Sequence, residues 1–184
     1  MFFEGCGYIF MKRTRIVRPY PVYALGRTLE VASAIHDMNA GLPFGRVLLA
    51  KSMGTTPASS GFVIKLNSSA RYGLTEGGYS DDRISLTPLG ISAVSSRGTP
   101  EHQNALVEAA LRPEVFRRFY RVLNGKRVPE GVHAQNLLEH EMGVHPDLSE
   151  ECLGLIRENG LLVGVITEVG GSFYVSLPEV QPLK

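Results

Sequence analysis

The sequence predicts a mainly α chain with small β-hairpins, an α+β class, on three observations. Apolar residues recur at three- and four-residue spacing through most of the 184 residues, the mark of amphipathic helices. Two stretches, 76–86 and 161–177, instead combine glycine-rich turns with short runs of strand-forming residues, the mark of hairpins. Each hairpin follows a helical segment through a Gly-Leu pair: Tyr72-Gly73-Leu74 in the first half, Asn159-Gly160-Leu161 in the second.

The elements follow in order. Over 20–40, Leu25, Leu29, Ala32, Ile35 and Met38 share one face of a helix that Gly41 ends. A second helix over 44–53 carries Val47, Leu48 and Leu49 and stops at Gly54. A third opens at Pro57, which a first helical turn tolerates, with Thr55 or Thr56 as N-cap. Phe62, Val63, Leu66, Ala70 and Leu74 form its apolar face, and Gly73 is placed to end it. The turn over 76–82 leads into Arg83-Ile84-Ser85-Leu86, which alternates as a half-buried strand does, and Thr87-Pro88 opens the next helix. Three helices followed directly by a hairpin are the order of a winged helix-turn-helix.

The run SSRGTP at 95–100 groups Ser, Gly and Pro between periodic segments and marks a boundary. Beyond it, helices over 101–112 and 114–124 part at Pro113, with Leu106, Ala109 and Ala110 inward in one and Val115, Phe116, Phe119 and Val122 in the other. Pro129 starts a helix ended by Gly143, and the helix from Pro146 to Asn159 buries Leu148, Cys152, Leu155 and Ile156 before Gly160 stops it. Strands over 161–166 and 172–177 close the chain. The expected organisation is a basic arm without fixed structure over 1–19, a winged-helix domain over 20–98 and a second over 99–184.

The PASSGF start of the third helix, YGL, ISLTPLG, AALRPEVFRRFYRVLNGKRVP and the MGV turn together resemble a family of bacterial and archaeal tandem winged-helix modules. Some of those modules are free-standing and some are joined to effector domains such as TIR-like ones. The resemblance spans residues 20–177 and implies nucleic-acid or partner binding.

Composition fits an ordinary soluble protein, with 43% hydrophobic and 20% charged residues. The formal charge of +1 conceals an asymmetry: +3 over residues 1–19, +2 over 20–98 and −4 over 99–184. Contact with a polyanion is therefore expected in the first half. Cys6 and Cys152 alone build no disulfide framework or zinc ribbon, which agrees with a cytoplasmic setting. The N-terminal MFFEGCGYIFMKRTR places apolar residues before charges, the reverse of a secretory signal, and no run reaches the length of a membrane span. Met11 is an alternative start, which would make the first ten residues a leader.

In a winged helix the third helix enters the major groove and the wing supplies phosphate contacts. Helical angles put Lys65, Ser68 and Arg71 on its outer face, with Ser59 and Ser60 at its start; Arg83 is the wing's base. The run holding Arg13 and Arg15 would lie along a phosphate backbone or enter a minor groove as a flexible arm, or else remain a solvated tail. Two basic residues are few for a tight DNA-binding helix, and Ile64 on that face suits a protein contact or a thymine methyl equally. The second unit's equivalent helix carries Asp147, Glu150, Glu151 and Glu158, which repel phosphate; self-association or a partner protein suits it better. Arg117, Arg118, Arg121, Lys126 and Arg127 lie near Glu108 and Glu114 and read as a salt-bridged surface. His133, His140 and His145 lack helical metal-ligand spacing, and no phosphate loop, nucleophile elbow or catalytic set occurs, so neither cofactor nor catalysis is expected. The sequence thus points to a double-stranded DNA-binding protein, a transcriptional regulator or a DNA-engaging part of a defence system, dimeric through its second unit. The rival is a protein-interaction scaffold that uses winged-helix folds without DNA.

Overall fold

The computed structural model describes residues 16–95 and 97–178, an α/β mixture with small antiparallel sheets. Helix α1 (Leu25–Asn39) buries Leu25, Thr28, Val31, Ala32 and Ile35, and ends where Ala40 turns left-handed at φ 52°. The expected stripe drifts at its end: Met38 is 62% exposed, because the last turn runs past the core. Strand β1 (Phe44–Gly45) takes the start of the expected second helix, so α2 (Arg46–Ser52) is short, buries Leu49 and Ala50, and exposes Val47 and Leu48.

Helix α3 (Ser60–Arg71) begins three residues after Pro57, since the Ser59 N–H closes a turn onto the Thr56 carbonyl. Phe62 and Leu66 bury as expected, but Ala70 is exposed and Tyr72 is fully buried. Tyr72 turns inward because its hydroxyl has partners there: it donates to the Tyr23 carbonyl (3.0 Å) and accepts from Asn159 Nδ2 (2.9 Å). Strands β2 (Thr75–Glu76) and β3 (Arg83–Leu86) follow, and β3 lies between β1 and β2 in one antiparallel sheet of order β1-β3-β2. Phe44 faces Ile84, and Thr75 faces Leu86. Val31, Ile35, Leu49, Ala50, Phe62, Leu66 and Ile84 form a small core of this half. Thr87 opens α4 (Pro88–Ser95), its hydroxyl accepting from the Gly90 N–H at 2.9 Å and donating to the Gly73 carbonyl.

In the second half, Thr99 caps α5 (Pro100–Leu111), and α6 (Glu114–Val122) buries Val115, Phe116, Phe119 and Tyr120 while Val122 stays 46% exposed. The chain over 124–128 then pairs with a later strand. Helix α7 (Val132–Asn136) starts beyond Pro129 and runs into a π-helical turn, Leu137–Glu141. Helix α8 (Pro146–Leu162) is longer than expected: Gly160 lies inside it, buried under Ile166, and the helix stops at Leu162. Strands β4 (Ile166–Val169) and β5 (Ser172–Val175) make a hairpin whose Gly170 and Gly171 sit at φ 58° and 75°, as a two-residue turn of this hand requires. The Gly125 and Val128 N–H groups donate to the Val175 and Phe173 carbonyls. Through isolated bridges, the segment 124–128 thus lies beside β5 as β1 lies beside β3, without forming a third strand.

The halves share an apolar core. Tyr20, Leu25, Tyr72, Leu74, Ala93 and Val94 pack in the same cluster as Phe116, Phe119, Ile156, Val165 and Val175. Phe116 sits between the Tyr20 and Tyr72 rings, 6.0 and 6.4 Å from their centroids. Asn159, fully buried, accepts from the Leu25 N–H at 2.7 Å while donating to Tyr72. No described helix is long and apolar enough to cross a membrane.

Candidate nucleic-acid interface

Phe62 and Leu66 seat α3 in the small core, so its other side is open. Ser60, Asn67, Ala70 and Arg71 are exposed there. At about 100° per residue, Ser60, Asn67 and Arg71 lie within about 40° of one another. The β2–β3 loop lies beside the approach to this helix, and Arg46 links the two. Its Nε donates to the Asp81 carbonyl at 3.1 Å, its Nη1 to the Pro57 carbonyl at 3.4 Å, and its guanidinium stands 5.0 Å from the Tyr79 ring centroid. Asp81 tightens the loop by accepting from the Gly78 N–H at 2.7 Å. One arginine thus ties the loop to the turn that precedes α3; Tyr79 in the loop is half-exposed, and Arg83 at the start of β3 is exposed.

The candidate residues separate into three groups. Ser59, Ser60 and Arg83 are accessible, and the Ser59 hydroxyl makes no capping bond to the helix it precedes. Lys65, Arg71 and Ser68 are engaged internally. Lys65 Nζ pairs with Glu30 at 2.5 Å and keeps 18% of its side chain exposed. Arg71 donates to the Arg18 and Tyr20 carbonyls, fastening the segment before α1 to the end of α3. Ser68, expected on the outer face, is buried and accepts from the Tyr23 N–H at 3.3 Å; the inward rotation that buries Tyr72 takes it along. Arg13 and Arg15 lie outside the described residues.

Sequence reasoning overlooked Asn67 and Arg46. Asn67 carries no charge and interrupts no pattern, so only its exposure reveals it; Arg46 lies in no motif, and its three contacts come from loops 11 to 35 residues away.

The second half presents different chemistry. Asp147, Glu150 and Glu158 are exposed on α8, and Glu151 takes a bidentate contact from Arg18 at 2.8 and 3.0 Å. Hydrogen bonding to Arg18 holds the Glu151 carboxyl below its ordinary value despite partial burial. Burial pushes the Cys152 thiol up to about 12, with the Glu151 charge adding to it, and leaves it inaccessible. On α6 and beyond, Arg117 pairs with Glu114 and Arg127 with Glu130, Arg118 donates to the Glu141 carbonyl, and Arg121 is exposed. Among the described residues no group of three or more His, Cys, Asp or Glu side chains is placed to hold a metal ion.

No family model, curated protein or solved structure matches the chain.

Proposed function

We propose that the chain is a DNA-binding module of tandem winged-helix type whose first half meets the duplex. The observation that carries this reading is the Arg46 link, which ties the β2–β3 loop to the turn that leads into α3. The order α1-β1-α2-α3-β2-β3 and the β1-β3-β2 sheet support this reading, since they follow the order a winged helix needs, and isolated bridges from 124–128 to β5 give the second half a comparable arrangement. Ser60 and Asn67 offer hydrogen bonds to base edges, an asparagine suiting adenine, and Arg83 offers charge to phosphate. The acidic second half serves self-association. Fluorescence anisotropy with a labelled duplex at two salt concentrations tests the reading. Binding that weakens steeply with salt and falls on Arg83→Ala supports it; absence of binding at low salt overturns it.

A second reading, a protein-assembly module, is favoured by one observation. Lys65 and Arg71, the helix's only cations, are both engaged within the protein. Under that reading light scattering shows self-association while no duplex binds.

A further inference from the structure

We propose that the cavity between the start of α1 and the flank of α3 binds a phosphate group. It measures about 170 Å³ and is lined by Arg27, Lys65, Thr55, Ser59, Tyr23 and Gly61, among others. That is several times the roughly 30 Å³ share of one water molecule, so a tetrahedral oxyanion fits.

The Arg27 guanidinium lies over the Tyr23 ring, 4.1 Å from its centroid, and has no hydrogen bond or ion pair with any described residue. A guanidinium held by its face keeps its edge N–H groups free, and that fork matches two oxygens of a phosphate. Lys65 brings a second cation from α3. Its pairing with Glu30 uses one ammonium N–H and leaves two. Counting Glu30, the partner of Lys65, against Arg27 and Lys65 leaves one net positive charge. Thr55 and Ser59 add hydroxyl groups.

The ligand chemistry is a phosphate oxyanion, drawn from a duplex backbone or from a free phosphate. The duplex source rests on the reading above. Lys65 lies about 140° around α3 from Ser60, well off the Ser60–Asn67 face, so the duplex source requires a phosphate of a backbone that passes the cavity side of the helix.

Two variants separate charge from space. Arg27→Gln removes the cation. Gly61→Leu fills the cavity, since a Cβ there would stand 3.7 Å from Ser59 Oγ, and it keeps every charge; replacing a helix glycine also favours the helix, so the fold is retained. The thermal midpoint is measured with inorganic phosphate against chloride at equal ionic strength, and duplex affinity is measured across a salt series. Phosphate is expected to raise the wild-type midpoint and to lose that increment in both variants, while the slope of log affinity against log salt drops by about one in Arg27→Gln. An increment that Gly61→Leu retains is a general salt effect and overturns the site. Phosphate stabilisation lost in both variants, without any duplex binding, keeps the site, identifies free phosphate as its ligand and rejects the duplex reading. Duplex binding with an unchanged slope in both variants, and no phosphate increment, rejects the site and keeps the duplex reading.

Discussion

Gly90 and Asn159 show how much a single position decides. A Cβ at Gly90 would stand far inside contact distance of the Leu74 carbonyl oxygen, a backbone atom that Thr87 also holds. Gly90→Ala must displace α4 from the end of β2, and overpacking of this kind costs about 1–3 kcal/mol or more. A urea titration should show the midpoint fall with the slope unchanged. Asn159 is satisfied on both sides of its amide, by the Leu25 N–H and the Tyr72 hydroxyl. Asn159→Ala leaves a buried N–H without a partner and is expected to lower stability by about 1–3 kcal/mol in the same assay.

Elements depend on contacts that cross them. The β2–β3 loop is held by the Asp81 turn, by the Arg46 N–H on the Asp82 carbonyl and by the Arg46 side chain, and β2 is two residues long. Arg46→Ala should therefore raise amide exchange over 77–82 several-fold while costing no more than about 1.5 kcal/mol of global stability, since its bonds are exposed or partly buried. On the proposed reading the same variant weakens duplex binding, because the side chain no longer ties the loop to the turn that leads into α3. Helix α8 ends under a comparable constraint. A Cβ at Gly160 would stand 2.5 Å from Ile166 Cγ1, so Gly160→Ala pushes the β4–β5 hairpin away from the helix and should lower the melting temperature.

The whole molecule is organised around aromatic rings from both halves. Because Tyr20, Tyr72 and Phe116 pack ring against ring across them, circular dichroism and tyrosine fluorescence should report one coincident urea transition; separated transitions would mean that each half folds alone. Burial raises the Tyr20, Tyr72 and Tyr120 phenols above their ordinary range and the Cys152 thiol to about 12. The fold keeps these groups protonated, whereas the unfolded chain releases their protons from about pH 8.5 to 10. Stability is therefore full below about pH 8.5 and is lost progressively as pH rises toward 12, which urea midpoints at stepped alkaline pH will show. Much of this fold was legible before any coordinates. Periodicity and glycine punctuation announced α1, α3, both hairpins and the order of elements, because helix and turn preferences are local and act within a few residues. The candidate site was legible only in part, at Ser59, Ser60 and Arg83. Local preferences set the long helices, both hairpins and their order, but not β1 or the π-helical turn after α7. Tertiary structure alone decided which side of α3 is open and which charges are free. Glu30 reaches Lys65 from 35 positions away, the carbonyls that hold Arg71 lie more than 50 positions before it, and Asn159 meets Tyr72 across 87. Such pairings depend on where the folded chain returns in space, which local periodicity does not encode.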